Sequence, residues 1–324
     1  TSTPNSDEDQ FAMIWKEANK RFDEYGNDKV VGTNGFYAMK AHWNEHPERD
    51  EEWAEAERAR IGEERFRREH ECEFLIFDET LISSLVLADM EGVPPVETTG
   101  QVRWFKRPTP GHTYMVSLDP SMGTGGDFAA IQVFELPTFE QVAEWQHNQT
   151  PMNQQVRILQ GINKHIHDTI MEKDASATPQ IFYSMENNSI GEAALMRVMD
   201  IGEENIMGMF LSEPIRKGHR RKFRRGFNTT AKHKIDACTK FKELVENDKM
   251  KINSKLLITE LKDFVASGMS YSAKPGQHDD LVSACLLMTR MMKVLADFDP
   301  KIFEKWTDRT SQITPMPIFG SFTG

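Results

Sequence analysis

Short apolar runs alternate with helix-period stretches through the middle of the chain. Residues 114–118 form an apolar run that ends on Asp119, and residues 128–136 and 141–149 form two more, predicting three strands of an antiparallel meander. In residues 152–170, Val156, Leu159, Ile162, Ile166 and Ile170 recur three or four apart, the spacing of one buried helical stripe. Residues 181–185 read as a compact strand ending on Glu186, followed by a helix near 192–199 and a strand at 206–211. A helix over 231–246 is capped by Thr229 or Thr230, residues 264–273 read as a hairpin turning at Gly268, and a last strong helix runs from Asp279 to about 293.

The flanks differ. Residues 1 to about 75 hold few core candidates, and the mixed charges of 48–73 at helical spacing predict solvated helices. Residues 91–100, with Pro94, Pro95 and Gly100, read as a linker or irregular crossing, and the Pro-, Gly- and Thr-dotted residues 300–324 as a flexible tail. The resulting division is a mostly helical segment with linker over 1–100, an α/β domain over 101–299 and the tail. The α/β domain is expected to hold a mixed central sheet with helices on both faces.

Composition narrows the class. A chain of 324 residues, 39% hydrophobic and 27% charged, fits a soluble globular protein, and it has no run of eighteen uncharged apolar residues to suggest a membrane span. The polar, acidic first ten residues do not resemble a signal peptide. Cys72, Cys238 and Cys285 are unpaired by spacing, which argues against a disulfide framework or zinc site and fits buried thiols in a reducing cytoplasm.

Three separated acidic positions carry the candidate chemistry: Asp119 and Glu186 at strand ends, and Asp279 with Asp280 at a helix start. In an α/β sheet such ends gather on one edge, so the acids can meet. Two carboxylates about 4 Å apart repel by roughly 4 kcal/mol at an effective dielectric near 20, a cost that a divalent cation relieves. All-oxygen donors favour Mg²⁺ or Mn²⁺, and a two-ion site would hydrolyse a phosphodiester. Each acid also has a plainer reading: Asp119 as a turn residue, Glu186 as the start of a polar loop, Asp279 and Asp280 as helix caps. Asp127, after Gly123, Gly125 and Gly126, is either a supporting acid of the metal site or the pin of a hairpin turn. No G-x-x-x-x-G-K-[ST] run occurs, so this stretch by itself is not expected to hydrolyse ATP.

Against a net charge of -11, which alone disfavours nucleic acid, the residues from Pro214 to Ile235 include no acid. Arg216, Lys217, Arg220, Arg221, Lys222, Arg224 and Arg225 crowd together, Lys232 and Lys234 follow, and Thr229 and Thr230 stand at a helix start suited to phosphate. Sequence-independent contact with a DNA backbone is the functional reading; a solvated loop or a surface for an acidic protein is the other.

These residues resemble a known family. Leu118-Asp119-Pro120-Ser121 with Gly123 to Asp127, Ser184-Met185-Glu186-Asn187-Asn188, and Gly276-Gln277-His278-Asp279-Asp280-Leu281-Val282 resemble the three nuclease motifs of the large terminase of myovirus-type tailed phages. Gly226 to Thr230 with Lys232 and Lys234 resembles the stretch before the DNA-side helix, and Phe66 to Phe74 is similar to the segment joining motor and nuclease. Thr1 to Asn5 resembles the coupling motif near the end of the ATPase core.

The resemblance implies an RNase H-like nuclease at 101–299, preceded over 1–100 by a trailing piece of the packaging ATPase. It implies Asp119, Glu186 and Asp280 as catalytic metal ligands with Asp279 and Asp127 auxiliary, and two Mg²⁺ or Mn²⁺ ions. The activity implied is endonucleolytic cutting of double-stranded DNA with little sequence preference during viral genome packaging. A portal ring and a small terminase subunit would be the partners, at the procapsid in the cytoplasm of the infected host. Met122 departs from relatives that carry an acid there. Two other classes share part of the pattern: an actin-like or sugar-kinase-like phosphotransferase, which also ends its first strand on Asp, and a non-catalytic DNA-binding assembly module.

Overall fold

The computed structural model describes residues 10–21, 30–72, 79–188, 190–213, 225–268 and 270–298. These divide into two compact units, one up to Met90 and one from Glu91 onward. The first unit contains α1 (Gln10–Ala18), α2 (Glu51–Ile61), α3 (Glu63–His70) and α4 (Ser84–Asp89). The charged stretch is helical, as its pattern predicts, but it breaks at Gly62, whose φ of 84° belongs to the left-handed region. Asp50 starts α2 by accepting the Trp53 N–H at 2.8 Å. Trp43, Ala54 and Phe66 bury a small core with Trp53 and Ile61 packed against it, more core than the charge density of this region suggested.

In the second unit the strands are β1 (Glu97–Thr99), β2 (Val102–Trp104), β3 (Thr113–Asp119), β4 (Ala129–Leu136), β5 (Glu140–His147), β6 (Gln180–Met185) and β7 (Met209–Phe210). They form one sheet in the order β1-β2-β5-β4-β3-β6-β7. The meander β3-β4-β5 is antiparallel, and β6 and β7 run parallel to β3 on its other side. That is the expected mixed α/β arrangement. The parallel step needs a crossover, supplied by α5 (Met152–Lys173). One departure is at 97–99: those residues leave the predicted linker and pair with β2, extending the sheet at its edge.

Period-two alternation sorts the sheet into faces. Tyr114, Val116 and Leu118 of β3 and Ile181, Tyr183 and Met185 of β6 join one core with Val156, Leu159, Ile162 and Ile166 of α5 and Ala194, Leu195 and Val198 of α6 (Gly191–Ile201). The opposite face is covered by α9 (Asp280–Phe298), which packs across β3 and β4, with α7 (Ala231–Glu246) and α8 (Lys255–Asp263) against it. Ser117 Oγ donates to the Ala284 carbonyl at 2.8 Å, fixing α9 on that face. A separate hairpin, β8 (Phe264–Ser267) with β9 (Ser270–Ala273), follows α8 where the sequence predicts one.

Thr230 rather than Thr229 caps α7, accepting the His233 N–H at 3.2 Å. The strand expected at 206–211 is regular only at β7. Cys238 and Cys285 are buried as expected, whereas Cys72 is only half-buried. Among the described residues no helix is long and apolar enough to cross a membrane. The tail from 300, the first nine residues, and residues 214–224 with Arg216, Lys217, Arg220, Arg221, Lys222 and Arg224 lie outside the described residues.

Candidate metal centre and nucleic-acid interface

The register of the two parallel strands builds the site. Leu118 of β3 pairs with Met185 of β6, and the Glu186 N–H donates to the Leu118 carbonyl at 3.2 Å. One step further, Asp119 and Glu186 are neighbours on adjacent strands about 4.8 Å apart. Both occupy the same phase of the alternation, one residue past the α5-facing side chains, so both carboxyls are on the α9 face. The two carboxyls are close enough that Glu186 repels the charge of Asp119.

Several contacts hold this pair. Glu186 forms a parallel bridge with Phe227, the Asn187 N–H donates to the Phe227 carbonyl at 2.7 Å, and Asn188 Nδ2 donates to Glu186 Oε2 at 3.1 Å. Asn188 Oδ1 accepts the Gly191 N–H at 2.8 Å, turning the chain directly into α6. The approach is so close that a Cβ on Gly191 would lie 1.8 Å from the Glu186 carbonyl oxygen, which explains a glycine there. On the Asp119 side, buried Gln155 of α5 donates to the carbonyls of Ser121 at 2.9 Å and Thr150 at 2.7 Å. Gly123, at a φ of 67°, fits where a Cβ would meet the Thr150 carbonyl at 2.2 Å. The glycine-bearing loop after Asp119 is thus shaped by close backbone packing.

Asp280 opens α9, and its Oδ2 accepts the Phe128 N–H at 3.3 Å, tying the helix to the entrance of β4. His278 Nδ1 stands 3.7 Å from the same oxygen, its ring edge-on to Phe128. Asp279 turns elsewhere: its Oδ2 accepts the Ala273 N–H of β9 at 3.3 Å and lies 3.9 Å from Lys234 Nζ. Asp127 is near enough to act on Asp280 electrostatically.

A cavity of about 180 Å³ opens between these elements, lined by Asp119 and Glu186 together with Thr229, Lys234, Ser283 and Arg290. Of the predicted DNA contacts, Thr229 and Lys234 therefore line the same cavity as the acid pair. Arg225 pairs instead with Glu203, Thr230 serves as a helix cap, and Lys232 does not line the cavity.

The electrostatics follow from crowding. Asp119 keeps some solvent contact, yet burial of its carboxyl among protein atoms, followed by repulsion from Glu186 and then Asp280 and Asp279, pushes it well above the ordinary carboxylate range. Burial lifts Asp280 to about 6, against the Phe128 N–H and with help from Asp279. Burial likewise takes Glu260 to about 8, against hydrogen bonds from Val282 and Gln146.

An anionic pair this close is tolerated by sharing a proton or by binding a cation, and all-oxygen donors suit a hard divalent ion. The donor chemistry therefore fits magnesium or manganese. Among the described residues, however, no three His, Cys, Asp or Glu side chains are grouped closely enough to enclose an ion. Asp119 and Glu186 are together; Asp280 and Asp279 act on Asp119 through space without joining the pair.

Sequence reasoning missed three residues that shape the site: Gln155, Glu260 and Arg290. Arg290 donates to Thr229 Oγ1 at 2.9 Å and to the Asn228 carbonyl at 3.0 Å, pairs with Glu213, and stacks over Phe227. It braces the segment that bridges to Glu186. Its signal was available, as a cation within the apolar stretch of the last helix, beside Lys293.

Comparison with known proteins places these residues in a wider group. A family model described as the terminase RNaseH-like domain matches residues 116–291. Among solved structures, the large terminase nuclease from thermophilic phage G20c with bound magnesium is similar at 17% identity and a TM-score of 0.48, over 66% of this chain and 97% of that one. The human cytomegalovirus terminase nuclease domain, manganese-soaked and inhibitor-bound, is similar at 13% identity and a TM-score of 0.42, over 69% of this chain and 98% of that one.

Proposed function

The chain belongs to the terminase family through its RNase H-like domain, and from that membership we propose that it is a metal-dependent endonuclease that cuts double-stranded DNA, with little sequence preference, during viral genome packaging. The observation that carries the reading is the Asp119–Glu186 pair, side by side at the ends of parallel strands and opening into the same cavity as Lys234 and Thr229. A carboxylate pair with a cation opposite suits a phosphodiester better than a neutral substrate.

In this reading Asp119, Glu186 and Asp280 hold two magnesium or manganese ions, with Asp279 and Asp127 in support. Such ions supply a nucleophilic water at neutral pH and neutralise charge on the phosphate. The rigid strand ends fix the two principal carboxylates, which preserves their alignment without reorganisation. Lys234 and Thr229 face the same cavity and present a cation and a hydroxyl to a phosphate oxygen. Arg290 keeps Thr229 in place through its 2.9 Å hydrogen bond.

The basic run Arg216, Lys217, Arg220, Arg221, Lys222, Arg224 and Arg225, with Thr230, Lys232 and Lys234, is assigned to the DNA backbone. Such contacts are sequence-independent and weaken steeply with salt. Residues 1–90 are assigned to the trailing part of the packaging ATPase, and residues 91–299, with β1 in the sheet, to the nuclease. Portal ring and small terminase subunit are the proposed partners, at the procapsid in the host cytoplasm.

Incubation with supercoiled plasmid tests the activity. Nicked and linear DNA are expected with Mn²⁺ or Mg²⁺, and chelation should stop the cutting. DNA binding without cutting in either metal would leave an assembly module as the function.

A further inference from the structure

We propose that Glu260 is a positioning residue that sets the helix start on which Asp280 stands; the inference rests on the metal-site reading above. Glu260 lies on α8, only 9% exposed. Its Oε2 accepts the N–H groups of Leu281 at 2.8 Å and Val282 at 3.1 Å, and its Oε1 accepts Gln146 Nε2 of β5 at 2.7 Å. One carboxyl therefore joins β5, α8 and the first turn of α9.

Helix starts carry unsatisfied N–H groups that the residue just before the helix commonly caps. Here Asp279, the residue in that place, uses its carboxylate for the Ala273 N–H of the β8–β9 hairpin at 3.3 Å. The cap for α9 comes from another helix instead. Asp280 is consequently fixed twice: its side chain by the Phe128 N–H at 3.3 Å, and its backbone by the Glu260 grip on the two residues that follow. With three protein N–H groups on its two oxygens, Glu260 is turned toward β5 and the start of α9 and acts through Asp280.

The test is calorimetric titration of Mn²⁺ into the whole chain, with plasmid-cutting kinetics alongside. Glu260→Ala removes both acceptors and is expected to weaken Mn²⁺ affinity by about 10- to 100-fold, the loss typical of groups that orient metal ligands. It should lower kcat with little change in KM for DNA. Glu260→Gln keeps one acceptor oxygen for the α9 N–H groups and is expected to restore most of the affinity. A role in stability alone would instead lower the melting temperature and leave Mn²⁺ affinity unchanged in the folded protein.

Should Glu260→Ala fail to fold, Gln146→Leu frees the Oε1 side while leaving the α9 cap, and a smaller loss of affinity in the same direction is expected. Wild-type affinity in the folded variants overturns the role of Glu260 alone. A wild-type protein that takes up no Mn²⁺ overturns the metal reading and this inference with it.

Discussion

Asp119→Asn is expected to lower metal-dependent plasmid cutting by well over about 100-fold, beyond the upper end of what loss of a group merely supporting a ligand costs, with DNA binding retained. The substitution is nearly isosteric and keeps a polar side chain beside Glu186, so β3 and its pairing with β6 should persist. What disappears is the negative charge at the centre of the acid group. Losing that charge also removes its repulsion with Glu186, so the variant should be at least as stable as the wild type in chelator. Reduced cutting together with a chelator melting temperature equal to or above wild type would separate chemistry from folding. Cutting at the wild-type rate would remove Asp119 from the reaction.

In chelator, the wild-type protein is expected to lose about 5 °C or more of melting temperature between pH 5.5 and pH 8, on the scale of a few degrees per kcal/mol for a domain of this size. Folding raises Asp119 well above the carboxylate range, Asp280 to about 6 and Glu260 to about 8. In the unfolded chain these groups titrate near about 4. Between those limits the folded state binds more protons than the unfolded one, so their stabilising contribution is complete below the unfolded values and is lost as pH rises. Groups shifted the other way, such as Glu57 held at about 2 by Arg60, have given their effect before this window opens. Saturating Mn²⁺ should shrink the loss, because an ion that binds only the folded state favours the ionised acids. Melting curves in chelator that stay flat or rise from pH 5.5 to 8 would contradict the strained acid group.

Much of this arrangement follows from local pattern. The apolar runs ending on Asp119 and Glu186 are short, continuous and bounded by polar residues, so strand type and the end-of-strand placement of both acids could be read directly. The stripe of α5 was equally clear, since its five aliphatic positions all enter the core. What a linear pattern does not contain is pairing. The register of Leu118 with Met185, separated by the whole of α5, decides that Asp119 meets Glu186, and only the assembled sheet fixes it.

Short elements were lost for a related reason. β1 and β2 have three residues each and gain their order from β5, and the Pro-rich sequence before them resembles a linker. Unread in the sequence, α8 did leave a trace: Ser254 caps it, and Leu257, Ile258 and Leu261 fall at helical spacing. Glu260 was hidden because a glutamate on a short helix ordinarily faces water, and its burial depends on partners more than 20 residues further on and on another strand. Asp280 marks the limit from the other side. Its place at a helix start was correct, but the expectation of three acids already gathered is met only by the first two.

Anomalous diffraction from crystals soaked in manganese tests the central claim most directly. A manganese peak should lie at coordination distance, about 2 Å, from the carboxylate oxygens of Asp119 and Glu186, with Asp280 drawn in as a further ligand. Manganese bound elsewhere at saturating metal, with no peak beside Asp119 and Glu186, would contradict it.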